Sequence, residues 1–91
     1  MKRYVIERDI PGVGKLGRAQ LQGLAAASNA ALAKLEGRVQ WVQSFIAGDK
    51  TFCIYLAGSE ALVREHSRLA GFPVTTVTQA PTIIDPMTEF S

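Results

Sequence analysis

The side chains able to do chemistry in this chain are few, and four of them fall on strand-like segments: Glu7, Ser44, Cys53 and Tyr55. A carboxylate, a hydroxyl, a thiol and a phenol brought to one place could hold a cation or a small polar ligand. A carboxylate desolvated there would also shift toward acid/base use. The competing reading is structural, with Cys53 as a small hydrophobe, Tyr55 as core filler and Glu7 paired to an arginine. The single histidine, His66, lies four residues after Leu62 and three before Leu69, on or beside the apolar stripe of a helix, where packing is its default role. Cysteine and histidine are nonetheless donors that borderline metals prefer, and imidazole suits nickel, copper and zinc. Gly12-Val13-Gly14-Lys15 resembles a phosphate loop only briefly. Asp9 stands where such a loop needs its first glycine, and Leu16 where it needs serine or threonine, so a glycine-rich connection suffices.

The elements that must position these groups can be read from patterning. Arg3 to Arg8 is β-branched and aromatic with partial alternation, and Pro11 to Gly14 stops it, giving a first strand and a loop. From about Lys15 to Leu35, Leu21, Leu24, Ala25, Ser28, Leu32 and Leu35 recur at helical spacing, and Gly37 closes the helix. Val39 to Ala47 and Thr51 to Ala57 flank Gly48-Asp49, a turn pair with glycine first as a type II′ hairpin prefers. Ser59 is the expected N-cap of a second helix that runs to about Ala70 and ends at Gly71-Phe72-Pro73. Val74 to Ile84 reads as a last strand at an edge or with a bulge, because Pro81 cannot donate to a ladder. The order βαββαβ predicts an α+β, ferredoxin-like domain over residues 1–91: a four-stranded antiparallel sheet with both helices on one face.

The hairpin also sorts the faces. A two-residue turn sets Ala47 opposite Lys50, hence Phe45 opposite Phe52, Ser44 opposite Cys53 and Val42 opposite Tyr55. Hydrophobicity then assigns Trp41, Phe45, Phe52, Ile54 and Leu56 to the helices, with Tyr4 and Ile6 beside them. The second face receives Val5, Glu7, Val42, Ser44, Ile46, Cys53 and Tyr55. On this assignment His66 lies across the sheet from Cys53. So apolar a face with no third helix to cover it predicts a homodimer closed by sheet-face packing, a dimeric α+β barrel.

Composition bounds the setting. At 91 residues, 47% hydrophobic and 20% charged, the chain is one folded domain and excludes disorder. Its net charge of +2 is uneven: residues 1–50 carry eight Lys/Arg against four Asp/Glu, residues 51–91 two against four. Lys2, Arg3, Arg8, Lys15 and Arg18 are scattered, so a solvated basic surface is expected, and no nucleic-acid partner. One cysteine allows no internal disulfide, no window has the apolar length of a membrane span, and a cytoplasmic protein without membrane contact is expected.

Read together, Val5-Ile-Glu-Arg8, Ile10 to Leu16, Trp41-Val-Gln-Ser44, Asp49-Lys50, Cys53-Ile-Tyr55, Arg64-Glu-His66, Gly71-Phe-Pro73 and Ile84-Asp-Pro86 look like a known family. It is the family of small bacterial proteins that resembles the nickel-responsive, nickel-binding protein of actinobacteria. The likeness spans nearly the whole chain, and it implies a ferredoxin-like homodimer and nickel binding. The matched positions chemically able to take part are Glu7, Ser44, Cys53, Tyr55, Glu65 and His66.

The leading expectation is therefore a small dimeric binding protein for nickel or a similar divalent metal, with Cys53, His66 and Glu7 as metal ligands and Ser44, Tyr55 and Glu65 around a ligand. The alternative is a cofactor-independent enzyme of the dimeric α+β barrel type, a monooxygenase or isomerase, in which Glu7, Tyr55 or His66 handles protons on a small organic substrate. A third is a structural or regulatory dimer with no ligand.

Overall fold

The computed structural model describes residues 1–91. Strand β1 (Lys2–Asp9) leads through a short 3-10 turn (Val13–Lys15) into helix α1 (Arg18–Lys34). The hairpin β2 (Val39–Ala47) and β3 (Lys50–Ala57) follows, then helix α2 (Glu60–Ala70), strand β4 (Thr76–Gln79) and a second 3-10 turn (Pro86–Phe90). The sheet runs β2-β3-β1-β4 with every pairing antiparallel, the ferredoxin-like α+β arrangement that the element order predicts.

Local chemistry explains the boundaries. Gly48 takes φ +61 at the hairpin tip while Asp49 does not enter the left-handed region, as a type II′ turn requires. Ser59 caps α2 by accepting from the Leu62 amide, and Gly71 at φ +78 ends the helix. Helix α1 begins at Arg18 rather than Lys15, because Val13–Lys15 forms its own tight turn. The expected final strand from Val74 to Ile84 shrinks to four residues at the sheet edge. Ala80 still donates to the Arg3 carbonyl, and the pairing stops where Pro81 has no amide to offer.

The glycine-rich loop is a clasp between neighbours. The Ile10 amide donates to the Asp49 carbonyl, Gly14 donates to the Gly48 carbonyl at 2.7 Å, and Gly12 donates to Asp49 Oδ1 at 2.8 Å. Gly14 is needed for proximity, since a Cβ there would sit 2.6 Å from the Gly48 oxygen.

The face assignment needs correcting in β2 and β3. Tyr4 pairs with Tyr55 and Ile6 with Cys53, so Thr51, Cys53 and Tyr55 share the helix side with Tyr4, Ile6 and Arg8. Phe52, Ile54 and Leu56 lie on the open face with Val5 and Glu7, and Phe45, opposite Phe52, joins them at 52% exposure. A bulge between Trp41 and Gln43 sets Trp41, not Val42, opposite Tyr55. Ser44, Ile46 and Trp41 thereby all reach the helix side. The expected faces hold for Tyr4, Ile6, Trp41, Val5 and Glu7 and are reversed for β3 and for Ser44 to Ile46, because the helix side houses polar groups: Arg8, Ser28, Thr51, His66 and Ser67 are all buried.

Two regions share that interior. A dry core of Tyr4, Ile6, Leu35, Val39, Ala57 and Val63 occupies one end of the sheet, with Cys53 and Tyr55 at its border. The other end, under the first half of α1, is hollow.

Candidate functional site

The hollow follows from composition. Alpha helix α1 turns Leu24, Ala25 and Ser28 toward the sheet, and the two small residues cannot fill the space above β1 and β3. What remains is a cavity of about 210 Å³. Its floor is Arg8, Thr51, Cys53 and Tyr55; Trp41, Ser44 and Ile46 close the β2 side, and Ile10 and Phe72 flank it. The Trp41 indole Nε1–H donates to Ser44 Oγ at 2.9 Å, which fixes both side chains along that wall.

Arg8 is the dominant group. It is 1% exposed, and no carboxylate lies within ion-pair distance of it. Its Nη1 donates to Ser67 Oγ at 3.0 Å and to the Pro73 carbonyl at 2.7 Å, while the Ser67 hydroxyl donates to the Val63 carbonyl. The Phe72 and Tyr55 rings lie 5.2 and 6.0 Å from its Cζ, close enough for cation–π attraction. Nε and Nη2 are buried with no partner. Sequence reasoning placed Arg8 among solvated basic residues, yet the signal was present: Tyr4, Ile6 and Arg8 alternate onto one face.

His66 is fully buried, and its ring packs against Tyr55 at 4.7 Å between centroids, tilted by 50°. Its Nε2 meets Ser28 Oγ at 3.1 Å and Nδ1 has no partner. Burial lowers its proton affinity, a hydrogen bond with Ser28 opposes that in smaller measure, and the Arg8 charge adds a lesser lowering, which together favour the neutral imidazole. Burial raises the Tyr55 phenol above its ordinary value, Cys53 adds to that, and Arg8 opposes it. Cys53 is buried and free, with its thiol 3.6 Å from Thr51 Oγ1.

The six residues predicted to form a site are divided. Cys53, Tyr55 and Ser44 wall the cavity, and His66 packs behind Tyr55, so Cys53 and His66 share one side of the sheet instead of lying across it. Glu7 projects from the opposite face, where Lys50 Nζ approaches it at 2.6 Å and Asp9 at 3.0 Å. These contacts, led by the bond to Glu7, hold the Lys50 ammonium above its usual proton affinity. Glu65 lies on the outer surface of α2, where Arg68 donates to it. No three of the His, Cys, Asp and Glu side chains converge on a point that could hold a metal ion.

Comparison with known proteins bears on this geometry. The model of the family described as nickel responsive protein, SCO4226-like, matches residues 4–79. The chain belongs to that family. Among solved structures, the crystal structure of SCO4226 from Streptomyces coelicolor A3(2) superposes with a TM-score of 0.70 at 20% identity, over 90% of this chain and 99% of that one. At that identity the likeness speaks for the fold. No curated protein matches the chain. No helix is long and apolar enough to cross a membrane.

Proposed function

We propose that the protein is a small ligand-binding protein that works as a homodimer and takes its ligand into the cavity between α1 and the sheet. The observation that carries this is Arg8, a residue of the cavity lining whose Nε and Nη2 are buried without a partner. A buried donor without a partner costs about 1–3 kcal/mol. A buried charge is costly unless it is paired, and Arg8 has no counter-ion, so stability alone does not account for keeping it. Sites where local rules are broken at the expense of stability are where function is expected.

Support for the homodimer comes from the open sheet face. Phe52, Ile54 and Leu56 are half-buried there, Phe45 is exposed, and no element of this chain covers them. A two-fold pairing of that face would bury them and leave one helix-side cavity in each protomer.

Nickel is the first ligand to test, because the family is described as nickel responsive and because Cys53 lines the cavity while His66 packs behind Tyr55 on the same side of the sheet. Two protein donors are fewer than a closed site uses, and Glu7 on the other face cannot complete the set within one chain. Calorimetric titration of metal-free protein with a nickel salt decides the matter. Heat that disappears in Cys53→Ala or His66→Ala supports nickel as the ligand. Unchanged heat in both variants removes these donors from the site, and no heat removes nickel.

A further inference from the structure

We infer that the cavity is a receptor for a small apolar monocarboxylate, whose carboxylate is gripped by the Nε and Nη2 edge of Arg8. This rests on the helix-side cavity being the ligand site. Nε and Nη2 lie on one edge of the planar guanidinium and present parallel N–H bonds, the spacing of two carboxylate oxygens. They are the two nitrogens of Arg8 left without partners, while Nη1 is committed to Ser67 and Pro73. The orphaned donors are therefore a complete fork, with the opposite terminus of the group held fixed behind it.

Charge selects the same class. A buried guanidinium with no counter-ion favours an anion and repels a bare metal cation. Arg8 is the only cation on the wall, which suits a single negative charge better than a phosphate dianion. The remaining walls, Leu24, Trp41 and Ile46 among them, ask for an apolar body. Its size is set by the volume of about 210 Å³, since an engineered cavity of about 150 Å³ holds benzene. One ring plus a carboxylate, as in benzoate, fits that space.

The test uses the full chain at pH 7 with three probes: benzoate, the uncharged benzyl alcohol of similar shape, and inorganic phosphate. Calorimetry is expected to show benzoate binding about tenfold or more tightly than benzyl alcohol, as for a charge-assisted pair. Arg8→Met should erase that preference while leaving benzyl alcohol bound, with circular dichroism verifying the fold. Should Arg8→Met fail to fold, Arg8→Lys keeps the charge without the fork and must lose most of the preference. Ala25→Phe, which fills the cavity from α1 while retaining Arg8, must weaken both organic probes. Equal affinity for benzoate and benzyl alcohol, or a preference that survives at Arg8→Met or in full at Arg8→Lys, overturns the carboxylate assignment but leaves the ligand cavity standing. Phosphate binding more tightly than benzoate overturns the organic acid. If no probe binds, the assignment and the cavity reading fall together.

Discussion

The indole of Trp41 and the hydroxyl of Ser44 are joined at 2.9 Å across a bulge in β2. In a regular strand, residues three apart point to opposite faces; the extra residue at Val42 brings this pair to the same side. Ser44→Ala should lower stability by about 1 kcal/mol through the lost acceptor. Trp41 is the single tryptophan, so denaturation followed by its fluorescence reads the wall of the cavity directly. An unchanged midpoint and emission maximum would show that the bond does not hold the bulge.

His66 makes stability depend on acid. Its unfolded value is the ordinary 6.5, and burial depresses the folded one. As pH falls through 6.5 the unfolded chain takes up a proton that the folded chain refuses, so stability present above 6.5 is lost toward the lower folded value. Urea denaturation between pH 7.5 and 5 should show this decline, and His66→Gln should flatten it. An equally steep decline in the variant would assign the acid sensitivity elsewhere.

Much of this architecture was legible before any coordinates. The Gly48-Asp49 hairpin, the Ser59 cap, the Gly71 stop and the βαββαβ order all rest on local chemistry, and the structure agrees on each. Which side of β3 faces the helices was not legible from hydrophobicity, because Phe52-x-Ile54-x-Leu56 is greasier than Thr51-x-Cys53-x-Tyr55 and yet points outward. The ladder from β1 decides it, and only long-range register supplies that ladder. The bulge at Val42 carried no glycine to announce it. Arg8 was missed because a lone arginine on a short strand is ordinarily exposed, although the alternation with Tyr4 and Ile6 pointed inward.

Two glycine substitutions should move in opposite directions. Gly14→Ala drives a Cβ onto the Gly48 carbonyl, which is backbone and cannot rotate away, and should destabilise by about 1–3 kcal/mol. Gly23→Ala, in α1 with nothing within 4 Å of its new methyl, should stabilise by about 0.5–1 kcal/mol. Thermal unfolding of the two variants beside the parent tests both. A neutral Gly14→Ala would mean that the loop and the hairpin tip separate easily.

The open sheet face can be charged without disturbing the interior. Phe45→Glu places a carboxylate opposite Phe52 and should convert a dimer to a monomer in analytical ultracentrifugation, with helical circular dichroism retained. If the parent chain already sediments as a monomer at high concentration, the sheet face is not a self-association surface.

Tying the β1 exit to the hairpin tip also sets where the molecule can breathe. Ile10 and Ile46 stand at the base of that knot and wall one side of the hollow, so this rim is anchored by backbone bonds on both flanks. Helix α1 covers the hollow with Leu21, Leu24, Ala25 and Ser28. Leu21 on the early turns of α1 and Ile46 on β2 are both exposed and both line the hollow, so its mouth lies between the start of that helix and the β2 edge.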